Sequence, residues 1–474
     1  MVNILLIRPP DPLQHVKLLS HTKPMNLAYL AAYVRSQGVG VTIVDYETET
    51  FDLNAYYHLL REKKPALVGV SCVTPTIRNG AQLCALTKAF DKDIVTVVGG
   101  PHANSLPVET LEEFPSFDYL VYGEGEVTLG ELYRLVAEGE EEFAVPGLMY
   151  RRRGEIVRNP PRELVADLDT LPFPARDLID YRVQPGHSTR GFSNKLLSTE
   201  LFTSRGCPFG CSFCAIQATF GRTVRFRETA FIEEEVSKIV RDHRFNHLVI
   251  ADDTFSLQKN RALEICDILG RSGIVSWNCD TRVTSVSKEL LLAMRKSGCQ
   301  KVAFGVESGS QRVLDLIGKK ITVEQVRQAV QWAKEAGIRH IEGNFIIGSD
   351  PSETLEDVEM TTDLIRSLPW TFVSVSIIVP YPGTPVACEM RGLNLIPPDT
   401  AWEDYVMIGV PPKWRTVHFT PPDLIRHQRT LTRQFYLDPR YIARQLVTVR
   451  SLNDVRYWMS AGASYVKWYF SGRL

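Results

Sequence analysis

The chain has 474 residues, 44% of them hydrophobic and 23% charged, and a formal net charge of −1 at pH 7. This is an ordinary globular composition, long enough for two or three domains, and its near-neutral balance gives no field to draw nucleic acid. No apolar run reaches the ~18 residues that a membrane span needs. The N-terminus reads as a strand and not as a signal peptide, and an odd set of nine cysteines does not suggest a disulfide framework, so a cytoplasmic location is expected.

From the N-terminus, short apolar runs alternate with helical patterns. Strands are expected at Asn3–Pro9, Val41–Asp45, Leu67–Cys72, Ile94–Val98 and Tyr119–Tyr122, with helices at Asn26–Gln37, Leu53–Lys63, Arg78–Phe90 and Leu129–Ala137. That spacing predicts an α/β domain of βαβ units over residues 1–140. Five strands suggest the flavodoxin-like (Rossmann-type) order 2-1-3-4-5, with ligands beyond the carboxyl ends of the strands. Those ends read Pro9-Pro10-Asp11, Ser71-Cys72-Val73-Thr74-Pro75, Gly99-Gly100-Pro101-His102 and Tyr122-Gly123-Glu124-Gly125-Glu126. Glycines there let a flat ligand approach the backbone, and the polar groups offer contacts around its rim. Plain βα turns have the same composition.

Residues 141–195 are irregular and rich in Arg and Pro, and read as a linker, with Arg151-Arg152-Arg153 as a solvated hairpin. Then comes Ser204-Arg205-Gly206-Cys207-Pro208-Phe209-Gly210-Cys211-Ser212-Phe213-Cys214. Three thiolates this close on one loop can hold three irons of a [4Fe–4S] cube, leaving the fourth iron open. A structural zinc site or a disulfide pair are the alternatives; zinc asks for four ligands in paired spacings, and no partner pair is nearby. Cys72, Cys84, Cys266, Cys279, Cys299 and Cys388 read as buried free thiols.

Beyond the cysteines, strands are expected at Leu201–Thr203, His247–Ile250, Val275–Asn278, Lys301–Phe304, His340–Ile347 and Val373–Val379, with helices between them. The count predicts a (β/α)6 partial TIM barrel over residues 196–395, whose chemistry lies at the C-terminal ends of the strands. Asp252 and Asp253, Asp280 and Arg282, Glu307 and Ser308, and Asn344 fall at those ends. Asp253 has the alternative of capping the following helix.

The cysteine motif, with Phe213 in the aromatic position before the third cysteine, resembles that of the radical S-adenosylmethionine (SAM) superfamily. The four strand-end sequences upstream of it resemble the cobalamin (B12)-binding domain of the class B, methyltransferase-like branch. The resemblance implies a [4Fe–4S] cluster on Cys207, Cys211 and Cys214, with SAM on the open iron. It further implies SAM contacts at Phe213, Asp252, Asp280, Arg282, Glu307, Ser308 and Asn344. Cobalamin contacts are implied at Pro10, Ser71, Val73, Thr74, Gly99, Gly100, His102, Gly123, Glu124 and Gly125. The Asp-x-His-x-x-Gly motif of base-displacing B12 proteins is missing, since Asp11-Pro12-Leu13-Gln14-His15-Val16-Lys17 has another spacing; His15 reads as a surface residue. Radical methylthiotransferases carry three further N-terminal cysteines, whereas this region has only Cys72 and Cys84.

The implied reaction is methylation of an unactivated carbon by way of methylcobalamin and a 5′-deoxyadenosyl radical, with an external one-electron reductant of flavodoxin or ferredoxin type. Cyclisation or rearrangement with the same cofactors is a second reading, and a B12- and redox-responsive binding protein a third. Residues 396–474 read as a C-terminal, mainly helical cap on the barrel. Its aromatic end (Tyr457, Trp458, Tyr465, Trp468, Tyr469, Phe470) also suits a membrane-surface segment that meets a lipid-like substrate. Trp402, Tyr405 and Trp414 read as pocket lining or as core.

Overall fold

The computed structural model describes residues 3–12, 23–140, 143–181, 196–407 and 410–448. The first sheet contains β1 (Asn3–Arg8), β2 (Gly40–Asp45), β3 (Pro65–Ser71), β4 (Val95–Gly99) and β5 (Tyr119–Val121) in the expected order 2-1-3-4-5, all parallel. The period-2 alternation of strand side chains divides the core between the two faces. Leu5 and Ile7 pack with the helices Leu53–Lys63 and Ile77–Phe90, while Ile4 and Leu6 pack with Met25–Ser36 and Gly125–Glu138.

The sheet does not stop at residue 140. β6 (Leu148–Arg152) and β7 (Glu155–Arg158) form an antiparallel hairpin that joins the edge of β5. The segment expected to be a linker therefore belongs in part to the first domain. Leu148, Met149 and Tyr150 are buried in its cores, and the arginine run lies at the hairpin turn, where Arg153 has φ of 52°.

β8 (Ser198–Leu201) opens the second domain, followed by a short antiparallel pair, β9 (Ser204–Arg205) with β10 (Arg225–Phe226). β11 (His247–Ile250), β12 (Ser276–Thr281), β13 (Cys299–Glu307), β14 (His340–Ile347) and β15 (Phe372–Ile377) complete a six-stranded parallel sheet in the order β15-β14-β13-β12-β11-β8. This is the expected partial barrel. Its outer face carries the largest core, including Trp277, Phe304, Phe345 and Trp370.

β15 is an edge strand, and the described C-terminal helices close that edge, while Leu424 and Thr416 reach Gly348 just past the end of β14. An edge strand leaves backbone groups unpaired. Gln428 donates to the Val375 carbonyl at 2.8 Å, the Tyr436 hydroxyl takes the Val373 N–H at 3.1 Å, and Tyr441 donates to the Thr371 carbonyl at 3.1 Å. The aromatic residues from Tyr457 onward, and His15, lie outside the described residues. Among the described residues no helix is long and apolar enough to cross a membrane.

Candidate active site

The pairing of β9 with β10 closes residues 206–224 into a loop that carries the three cysteines. Gly206 starts it at φ 98°, and a Cβ there would lie 2.3 Å from the Thr223 carbonyl oxygen, so glycine is required. Ser212 N–H donates to Ile317 O at 3.0 Å, and Ser212 O accepts from Val386 N at 3.1 Å, which ties the loop to two barrel segments. Cys207, Cys211 and Cys214 are free thiols, so they form no disulfide. Burial raises the thiols of Cys207 and Cys214. Arg282 stands beside them: burial lowers its pKa, its charge faces Cys211 and Cys207, and its guanidinium lies 3.8 Å from the Phe209 ring centroid. Its Nη2 is buried without a partner. Three thiols on a braced loop beside a guanidinium with one unpaired nitrogen fit a cluster with an open iron and an anionic ligand on it.

Glu307 ends β13 in the left-handed region, at φ 71°, a conformation that non-glycine residues seldom adopt. Its carboxylate takes the Lys319 ammonium at 2.5 Å, and both side chains are nearly buried. Lys319 Nζ also lies 5.9 Å from the Phe213 ring centroid, which brings Phe213 into the same group. Lys319 was not anticipated, because it follows a short helix (Gln311–Leu316) and not a strand end.

Two expected SAM contacts point elsewhere. Asp252 accepts from the backbone N–H and hydroxyl of both Thr203 and Ser204, at 2.5 to 3.1 Å, so its oxygens are committed to holding the cluster loop. Ser308 is fully buried, bonded to the Thr361 hydroxyl at 3.1 Å and to Ser310 N–H. Asp280 does face the inside of the barrel, level with Ala303 of β13 and Glu342 of β14. That is four residues, about 13 Å, below Glu307. Burial raises its carboxyl, and a Lys301–Glu342 ion pair of 2.8 Å lies beside it. Asn344 lines the inner face nearer the top, paired in register with Gly305.

Between the domains lies a cavity of about 530 Å³. The first sheet contributes Ser71, Val73, Gly99, Gly100, Gly123, Glu124 and Gly125, and the second domain contributes Phe202, Ser204, Arg205, Ile216, Thr219, Phe220 and Asp253. The sheet side suits a corrin. Val73 leaves 45% of its apolar side chain uncovered at the end of β3, and Gly123, at φ 81°, has open space where a Cβ would stand. Asp253 does not cap a helix: it accepts from Gly206 N–H at 3.1 Å, and burial raises its carboxyl to about 6.

The structure places His102, Thr74 and Pro10 outside the cavity wall and gives Glu124 other partners. His102 is buried, with Thr74 Oγ1 at 3.3 Å from its Nδ1, and lies outside the cavity wall together with Thr74. Burial lowers its imidazole to about 4. Pro10 stands beside the wall, its carbonyl held by Asn79 at 2.8 Å. Glu124 reaches the wall, but its carboxylate takes Arg205 Nη1 at 2.8 Å, Arg225 Nη1 at 2.6 Å and the Val165 N–H at 2.8 Å. Glu126 takes the other Arg205 nitrogen at 2.7 Å. This buried network locks the first domain to the residues that precede Cys207.

Residues 201–365 match the Radical SAM superfamily, and residues 16–133 match the B12 binding domain. A protein of Pyrococcus horikoshii described as an uncharacterized methyltransferase is 32% identical over 94% of this chain and 95% of its own length. The anaerobic magnesium-protoporphyrin IX monomethyl ester cyclase of Rubrivivax gelatinosus is 30% identical over 82% of this chain and 70% of its own. In fold, the chain is similar to the radical SAM methyltransferase TsrM from Kitasatospora setae, solved with cobalamin and a [4Fe–4S] cluster, with a TM-score of 0.70 and 19% identity over 93% of this chain and 90% of that one. With its two modules and the chamber they share, the chain belongs to the cobalamin-dependent radical SAM methyltransferase family.

Proposed function

We propose that this enzyme methylates an unactivated carbon of a small-molecule substrate. The observation that carries the reading is the single chamber walled by the strand ends of the B12-binding sheet and by the cluster-bearing segment. Together the cofactors supply a methyl group, a one-electron reduction and the removal of a hydrogen atom.

The chain's own residues position and enclose. Cys207, Cys211 and Cys214 would hold the cluster. The unsatisfied Nη2 of Arg282 and the ammonium of Lys319 suit the carboxylate of methionine, while Glu307 and Asp253 offer acceptors to an amine or to ribose hydroxyls. Ser71, Val73 and the glycines at 99, 100, 123 and 125 offer a low wall for the corrin. The Glu124–Arg205–Glu126 ion pairs hold the two walls of the chamber together. Electrons would come from an external donor of flavodoxin or ferredoxin type.

The inner face of the barrel is polar, with Asp280, Lys301, Glu342, Asn344, Ser374 and Ser376 uncovered or half-covered. This favours a substrate with hydrogen-bonding groups over a wholly hydrocarbon one. The likeness to the magnesium-protoporphyrin cyclase favours a second reading, ring closure with the same cofactors. Anaerobic turnover with SAM carrying a trideuterated methyl group separates the two. A product that gains the labelled methyl supports methylation, and an unlabelled product that has lost hydrogen overturns it.

A further inference from the structure

The segment Ala401–Tyr405 crosses from the second domain onto the first, and Trp402 packs against the cores of both. On the first domain its ring meets His102 edge-on, with centroids 5.0 Å apart at 73°. Its indole N–H donates to both oxygens of Glu113, at 2.9 and 3.1 Å. Arg78 bridges Glu113 at 3.7 Å and Glu403 at 3.6 Å. On the other side, Trp402 packs on Tyr405 at 5.8 Å and Tyr405 on Trp414 at 5.6 Å. Trp414 is buried and donates to the Ile378 carbonyl at 2.7 Å, just past the end of β15.

The same contacts reach the cavity wall. His102 bonds Thr74 through its ring and the Cys72 carbonyl through its backbone N–H at 3.1 Å. Val73, between those two residues, and Thr76, just beyond them, both line the cavity. The glycines at 99 and 100, just before the helix that carries His102, line it as well. Side chains packed in this way move together, because packed interiors deform little.

We propose that Trp402 is a positioning residue for cobalamin: through His102 it fixes the turn after β3, and so the wall that receives the corrin. The inference rests on cobalamin occupying the interdomain cavity. The hydrogen bonds and the His102 ring contact of Trp402 fall on the first domain, away from the cluster loop and the Glu307–Lys319 pair.

The test compares the reconstituted full chain with its Trp402→Ala and Trp402→Phe variants, titrated anaerobically with hydroxocobalamin and read by the bound corrin spectrum. An aromatic pair contributes up to ~1.4 kcal/mol, so Trp402→Ala weakens cobalamin binding about tenfold. Trp402→Phe, which keeps the ring on His102, stays within about threefold of the parent. In Trp402→Ala, iron content and substrate-free SAM cleavage stay at parent levels while corrin binding falls; a merely structural role would move these together with corrin binding. Parent-like corrin affinity in Trp402→Ala overturns the proposal while leaving cobalamin binding intact. A parent chain that retains no corrin overturns the cobalamin-site reading itself. If Trp402→Ala does not fold, Glu113→Gln, which weakens the indole anchor, takes its place, and an unchanged corrin affinity there is equally fatal.

Discussion

Replacing Glu124 by alanine should separate the two domains energetically. Its carboxylate is 2% exposed, and its partners Arg205 and Arg225 are 11% and 7% exposed. Removal leaves Arg225 with no carboxylate partner among the described residues, only the Val165 carbonyl at 2.8 Å and the Phe220 ring, and leaves Arg205 with Glu126 and the Tyr29 ring. Breaking a buried ion pair from one side costs about 3–5 kcal/mol, since a buried charge is left uncompensated. With a urea dependence of about 2 kcal/mol/M for a domain of this size, the transition of the first domain moves down by about 2 M. The buried tryptophans at 277, 370 and 414 lie in the second domain, so in a Trp402→Phe background, which removes the one described tryptophan that touches the first, fluorescence weights the second domain, while far-UV circular dichroism reports both. In the parent the two signals should change together, and in Glu124→Ala the dichroism should begin to fall first. Coincident transitions, or a shift below about 0.3 M, would refute the argument.

The same clamp has an acid limb. Burial alone would raise the Glu124 carboxyl, but hydrogen bonds from Arg225 and Arg205 outweigh it and hold the group below the ordinary glutamate value. Its contribution is therefore complete above that ordinary value and disappears as pH falls through the lowered folded value. Glu124→Gln should lack this loss.

Asp252→Ala removes the acceptor of four hydrogen bonds that shape the approach to Cys207, so reconstitution should give less than half the parent's iron and sulfide per chain. Lys319→Ala leaves Glu307 without its cation and should weaken SAM binding about tenfold or more in equilibrium dialysis, with cluster content unchanged. Glu353 is buried, accepts from the Gly348 N–H and has its carboxyl raised to about 8 by burial. Stability is then lost as pH rises from the ordinary glutamate value through 8, and Glu353→Gln should flatten that slope in thermal melts at pH 6 and pH 8.5.

The strand order of the first sheet, the six barrel strands and the cysteine loop were legible because each depends on local periodicity and spacing. Side-chain direction at the strand ends was not. Asp252 and Asp253 are neighbours, yet one braces the cluster loop and the other faces the chamber. Glu124 and His102 sit at ligand-facing strand ends, but arginines 81 and 101 residues away and Trp402 claim them. Such partners are set by domain packing, which no window along the chain reports. Lys319 went unnoticed for a related reason: only the turn after Gln311–Leu316 brings it back to Glu307. One signal for it was present, the Gly318-Lys319-Lys320 sequence that ends this helical stretch.

The two-sided wall of the chamber also sets an order of assembly. Phe202, Ser204, Arg205 and Ile216 belong to the segment that carries the cysteines, so half of the corrin's enclosure exists only once that segment has taken its shape. If cobalamin takes this chamber as proposed and the cluster completes the shape of that segment, loading of the vitamin depends on iron supply. Cells starved of iron and sulfur should accumulate a chain that also comes out colourless with respect to B12, even when the vitamin is abundant. Restoring the cluster first, and the vitamin second, should rescue it more completely than the reverse.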